Sequence, residues 1–284
     1  MVKHATVVLF AIVLFTPAVA AQRQPEQAYR AYLPIIARQR SGPAVCMAWA
    51  PGTLVDRARA DFGAQSFFHS ASYQAWWIEM GGIPVWRSPN QPGAFVDVAA
   101  ALRQQEDYRG IVLLFNEPDI VGQDGPLAPE DAAALYRLAV RLFPDVTFAV
   151  PNANSVWYLE RFLEAVGDDL RPGDIIAIHM YQDTDDEPTV WPADWLARVF
   201  ELADARDNRV MVSEVGVSNN WSAAQQERYI SELLASRATA VCWYTPHCGG
   251  YSEHACQFNL YDDIDGNPSL TAAGLALQAA LAER

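Results

Sequence analysis

The chain has 284 residues, 51% hydrophobic and 19% charged, with a formal charge of −14 at neutral pH. That length exceeds a small disulfide-stapled module and is close to the size of one (β/α)8 barrel. The acidic balance, with no cluster of Lys and Arg, argues against nucleic-acid binding and against an anionic membrane surface, so a neutral ligand is the fitting partner.

Residues 1–21 read as a signal peptide. Lys3 and His4 precede an apolar run from Ala5 to Phe15, and Thr16-Pro17-Ala18-Val19-Ala20 offers small residues for cleavage after Ala20 or Ala21. The run is too short for a membrane span, and no Cys stands at the cleavage point to take a lipid anchor. No later stretch is long and apolar enough to cross a bilayer, so the expected product is soluble, secreted or otherwise extracytoplasmic, and monomeric. Residues 22–43 are rich in Gln, Arg, Ala and Pro without a clean period, and read as an arm or linker.

Residues 44–284 are expected to form a single domain, an α/β (β/α)8 TIM barrel. Short apolar runs begin at Val45, Gln65, Ile83, Gly110, Thr147, Asp174, Arg209 and Ala240. They are nearly continuously apolar, the pattern of parallel strands buried on both faces. Helical patterns lie between them at Pro129 to Phe143, Trp157 to Val166, Trp195 to Ala205, Ala223 to Ser236 and Thr271 to Ala282, the first with Pro and acids in its opening turn. Ser70 to Gly82 is too short and Trp-rich to assign. A dinucleotide fold would need a Gly-rich turn after the first strand, and that strand runs into Trp49-Ala50-Pro51-Gly52 instead.

In such a barrel, chemistry gathers where strands end. In strand order the ends deliver Trp49; His69; Trp86 and Arg87; Asn116, Glu117 and Asp119; Asn152 and Asn154; His179 and Tyr181; Glu214; and Trp243, Tyr244 and His247. Carboxylates and amides that bond hydroxyls, beside aromatics that stack on C–H faces, suit a carbohydrate substrate. Glu117 and Glu214 end the fourth and seventh strands, nearly opposite across a barrel mouth. Glycosidic cleavage asks for such a pair, one protonated to donate to the leaving oxygen and one ionised to attack the anomeric carbon. A single Glu after a strand is as readily a helix cap or a rim ion-pair partner; two, one directly after an Asn, favour the catalytic reading. Arg87 reads equally as a partner of Glu214 or of another acid. His69 reads more as a core histidine, and Asn152 and Asn154 equally as hydroxyl ligands or turn residues.

Phe115-Asn116-Glu117-Pro118 resembles the strand-four signature of clan A glycoside hydrolases, and Ser213-Glu214-Val215-Gly216 resembles their strand-seven nucleophile segment. His179-Met180-Tyr181 matches the strand-six H-x-Y of that clan. The likeness is greatest to the family 128 β-1,3-glucanase-like catalytic core and less to families 5 and 39. It implies a retaining glycoside hydrolase that cleaves O-glycosidic bonds in a β-linked polysaccharide or oligosaccharide. Glu117 would be the general acid/base, Glu214 the nucleophile touched by Tyr181, and Asn116 the ligand of the sugar 2-hydroxyl. Trp243 would be a sugar platform, and Trp49, Arg87 and His179 would join the substrate site. No metal or organic cofactor is needed. The strand-two Arg common in the clan is missing, which keeps open a barrel that binds carbohydrate without turning it over. No G-x-S-x-G elbow supports an esterase.

Four cysteines belong, after export, to an oxidising compartment. Cys248 and Cys256 bracket a Gly-rich segment and are expected to form a loop-closing disulfide. Cys46 and Cys242 fall in the first and last strands and are either bonded or two buried thiols. A zinc site from His247, Cys248, His254 and Cys256 lacks the usual C-x2-C spacing. The acidic run Asp183, Asp185, Asp186 and Glu187 lacks the pattern of an EF-hand.

Overall fold

The apolar runs become eight strands: β1 Ala44–Ala48, β2 Ser66–His69, β3 Gly82–Trp86, β4 Ile111–Leu114, β5 Thr147–Ala153, β6 Ile175–Met180, β7 Arg209–Val215 and β8 Ala240–Trp243. The structure is a computed structural model that describes residues 42–48, 52–64, 66–69, 82–87, 102, 110–122, 125–181, 188–244, 247, 256–262 and 268–284. The expected signal peptide, nearly all of the arm, and the unassigned stretch after β2 lie outside the described residues. Each strand pairs in parallel with the next, and β8 pairs back onto β1, so the curled sheet closes on itself.

Alternation along the strands sorts side chains into two layers. Cys46, Ile83, Leu113, Ala149, Ala177, Met211 and Cys242 form the packed interior of the ring. Their neighbours Met47, Val112, Leu114, Ile176, Val212 and Val241 face outward into two larger apolar clusters shared with the helices. Both faces are therefore dry, which is why these strands read as unbroken apolar runs.

Six helices follow strands among the described residues: α1 Gly52–Phe62 after β1, α2 Pro129–Leu142 after β4, α3 Val156–Val166 after β5, α4 Pro192–Asp204 after β6, α5 Ala223–Ala235 after β7 and α6 Ala272–Ala282 after β8. Their starts are chemically marked. Ser155 and Thr271 cap α3 and α6 with side-chain oxygens, and Ser222 with Gln225 forms a reciprocal capping box on α5. α4 begins three residues before the expected Trp195, because Pro192 supplies a first-turn residue that needs no N–H partner. α1 was not anticipated from the sequence; it buries Leu54, Val55, Ala58 and Phe62 against the outer face of the sheet.

Cys46 and Cys242 stand directly opposite each other in the β1–β8 pairing and are joined by a disulfide. Of the two readings left open by the sequence, the bonded one holds. Cys256 is also disulfide-bonded, which removes it from any zinc set; its expected partner, Cys248, lies outside the described residues.

Candidate active site

The end of β6 supplies the floor of the site. Ile175, Ala177, His179 and Tyr181 share one parity, so the two apolar residues fill the ring interior and the two polar ones emerge at its rim. Glu214 arrives there through an irregularity. Ile178 pairs with Val212, but His179 pairs with Glu214, so β7 carries one extra residue at Ser213. Val212 and Val215 both pack in the outer cluster, three positions apart. Without the bulge, Glu214 would share the outward parity of Val212. The Ser213 hydroxyl donates to the Ile178 carbonyl at 3.3 Å, occupying the bulge.

β5 shows the same device: Pro151 pairs with Ala177 and Ala153 with Ile178, leaving Asn152 as the extra residue with φ 55°. β4 ends in a tighter turn, with Phe115 at φ 74° and Glu117 at φ 49°. Left-handed conformations are rare for such residues and concentrate at sites that need a side chain re-aimed. Among the described residues these three strand ends are irregular in this way, and all three flank the carboxyl pair.

The two carboxyls meet at one atom. His179 Nδ1 lies 3.2 Å from Glu117 Oε1 and 3.7 Å from Glu214 Oε2. Those two contacts cap the separation of the oxygens at about 7 Å, within the range over which a carboxyl pair can flank a glycosidic bond. Glu117, Glu214 and His179 are all buried, and Asn116 is buried beside Glu117. The Tyr181 hydroxyl donates to Glu214 Oε2 at 2.5 Å. Burial acts against a charged His179, but Glu214, the hydrogen bond with Glu117 and the charge of Asp119 outweigh it and raise the imidazole above its ordinary range. Burial, then Glu214, push the Tyr181 hydroxyl well above the usual phenol value, so it remains a donor.

Aromatic residues wall this centre. Tyr181 meets Tyr244 edge-to-face at 5.5 Å and Phe258 at 5.8 Å. Phe258 packs where Gly216 lacks a side chain: a Cβ there would stand 2.7 Å from the ring. Asn219 fixes the Phe258 segment by donating from its amide to the Gln257 and Asn259 carbonyls at 3.0 and 2.9 Å.

The sequence-derived site residues are thus distributed unevenly. Asn116, Glu117, His179, Tyr181 and Glu214 come together; Arg87 follows β3 and is partly buried. Trp49 lies outside the described residues. Trp243 is a correction. It is 1% exposed and packs with Met47, Val215 and Val241 in the outer cluster, because Cys242 takes the inward position on β8. It therefore faces the helices, not the mouth, and cannot present a ring to a sugar. Tyr244, one residue on, holds the inward parity, and Phe258 was not foreseen at all.

The model of the glycosyl hydrolase catalytic core family matches residues 70–255, more than half of the chain. The chain belongs to this family. Among solved structures, this catalytic core resembles a family 128 subgroup I endo-β-1,3-glucanase variant from Amycolatopsis mediterranei in complex with laminaripentaose (18% identity, TM-score 0.59, covering 84% of this chain and 100% of that one). It also resembles a subgroup III curdlan-specific exo-β-1,3-glucanase from Blastomyces gilchristii (18%, 0.58, 83% and 97%). A third likeness is to a subgroup VII oligosaccharide-binding protein from Trichoderma gamsii (16%, 0.52, 87% and 97%). At these identities the structural likeness speaks to the fold, a family 128-like core. No curated protein matches the sequence.

Proposed function

We propose that the chain is a secreted, retaining glycoside hydrolase built on one (β/α)8 barrel, and that it cleaves a β-linked glucan of the β-1,3 type from within. The observation that carries this reading is the convergence of the Glu117 and Glu214 carboxyls on His179 Nδ1. The two oxygens facing His179 lie within about 7 Å of each other, which is compatible with the roughly 5–5.5 Å of a retaining pair. The glucan class is carried over from the Amycolatopsis and Blastomyces enzymes. Family membership supports hydrolysis of glycosidic bonds.

In the first step a Glu214 carboxylate oxygen bonds to the anomeric carbon. The bond from that carbon to the leaving oxygen breaks, and the leaving oxygen takes a proton from Glu117. In the second step water attacks the same carbon, its proton passes to Glu117, and the bond to Glu214 breaks. Tyr181 donates to Glu214 throughout and holds its plane. Asn116, beside Glu117, is the proposed ligand of the sugar 2-hydroxyl, and His179, Arg87 and Trp49 complete the proposed substrate site.

Incubation with an activated 2-deoxy-2-fluoro glucoside, followed by peptide mapping, tests the assignment. The tag is expected on the peptide containing Glu214, and a tag elsewhere overturns the role. Glu214→Ala should abolish release of reducing ends from laminarin while leaving glycan binding largely intact. A second reading, a barrel that binds oligosaccharide without turnover, is favoured by the Trichoderma likeness and the missing strand-two Arg. Laminarin binding by the wild-type chain with no reducing-end release would establish it.

A further inference from the structure

Beyond the ends of β4 and β5 the regular ladder gives way to a stitch of hydrogen bonds, and Asn152 is its centre. Its Nδ2 donates to the Leu114 carbonyl at 2.9 Å and to the Ala149 carbonyl at 2.8 Å. Its own carbonyl accepts the Glu117 N–H at 3.0 Å. Asp119 ties the same two loops from the far side, accepting the Asn154 and Ser155 N–H groups at 3.0 and 2.9 Å. The segment so held needs holding: Phe115 and Glu117 both adopt positive φ, a conformation that bulky and β-substituted residues keep only when their surroundings over-determine it. Asn152 is itself left-handed, where Asn is among the least penalised side chains, and it is the extra residue of the β5 bulge.

Asn152 is 1% exposed and spends both hydrogens of its amide on backbone carbonyls. Every bond it makes ends on backbone within four residues of Glu117 or at its own strand. We propose that Asn152 is a positioning residue for the acid/base: it acts through the Leu114–Glu117 backbone to keep the Glu117 carboxyl on His179 and opposite Glu214. Neither the Asn-Glu-Pro motif nor the carboxyl pair assigns it this part. The inference rests on the proposed role of Glu117.

The test uses the full chain as Asn152→Gly and Asn152→Asp. Gly accepts the left-handed backbone but has no amide; Asp keeps the shape and turns an oxygen toward two carbonyls. On laminarin, Asn152→Gly should keep KM within about threefold and lose about 10²-fold in kcat, the order expected when a reacting group is displaced by roughly 1 Å. A readout independent of turnover is the His179 imidazole titration followed by NMR. It should move down in Asn152→Gly, toward the value in Glu117→Gln, because the carboxyl 3.2 Å away has been displaced. Wild-type kcat with an unmoved titration overturns the inference, and so does a loss expressed in KM alone, which would make Asn152 a substrate ligand. If Asn152→Gly does not fold, the same two readings on Asn152→Asp decide. If the wild-type chain does not hydrolyse laminarin, the proposed function fails, while the titration still decides whether Asn152 places Glu117.

Discussion

One nitrogen atom stands between the two buried carboxyls. His179 Nδ1 faces two carboxyls, and its imidazole is buried, so its charge is tied to theirs. Because the folded-state value is raised, the interaction contributes fully below the unfolded histidine value of about 6.5 and is lost as pH climbs through the folded value. At mildly acidic pH the melting temperature of the wild type should therefore exceed that of His179→Asn by a margin that shrinks as the pH rises. A margin that widens with pH would contradict the charged pairing. Tyr181 makes the second prediction. Tyr181→Phe removes one hydrogen bond to an ionised acceptor, worth roughly 1.5–3 kcal/mol, so kcat on laminarin should fall by about 10- to 10²-fold with KM nearly unchanged. Glu117, Glu214, His179 and Tyr181 were all legible in the sequence because each ends an apolar run. Trp243 was misread for a reason the sequence also contained: if Cys242 faces the interior beside Cys46, the next residue must face out. Tyr244 was among the residues expected at the end of the eighth strand, one step of parity from the Trp243 that was chosen, whereas Phe258 escaped because nothing local marks an irregular loop as the wall of a site.

At the scale of elements, strand order was readable and strand register was not. Continuous apolar runs announce eight buried strands, but a bulge exists only between two strands, and no property of Ser213 or Asn152 alone requires one. α1 was missed although Leu54, Val55, Ala58 and Phe62 recur at helical spacing, because Arg57, Arg59 and Asp61 between them blunt the pattern. At the end of the barrel away from the carboxyls, Asp174 does for β5 and β6 what Asn152 does at the rim. It accepts from the Phe148 N–H, the Tyr136 hydroxyl and the Arg171 guanidinium, and Asn208 donates to its carbonyl. Gly216 shows how tightly the carboxyl end of the barrel is built. Gly216→Ala places a methyl 2.7 Å from the Phe258 ring, which itself abuts Tyr181. Overpacking of this kind should cost about 1–3 kcal/mol in denaturant unfolding and should lower kcat through Tyr181. The variant matching wild type in both measurements would mean that Phe258 can move aside without consequence.

On the scale of the whole molecule, a parallel ring has one join between its first and last strands, where the residues brought together are farthest apart in the chain. Here that join is β1 against β8, and it is covalently crossed by Cys46–Cys242, 196 residues apart in sequence. Closing so long a loop in the unfolded chain removes much of its freedom, and the entropy model puts the ceiling near 5 kcal/mol, with about 2–4 typical of measured disulfides. Both sulfurs lie among the buried interior residues, so a reductant reaches them only when the ring opens. Two expectations separate this from a merely local staple. The Cys46→Ala/Cys242→Ala chain should unfold at lower denaturant, by an amount in that range, while retaining laminarin hydrolysis at low temperature, because the carboxyl pair follows β4 and stands on β7, away from the join, and the backbone pairing of β1 with β8 should hold without the sulfur bridge. Wild type treated with dithiothreitol under native conditions should lose that disulfide no faster than it exchanges its most protected amides, as followed by thiol alkylation beside hydrogen exchange. Rapid alkylation of Cys46 with the core amides still protected would show that the join opens by itself, and that the bridge does not govern the stability of the ring.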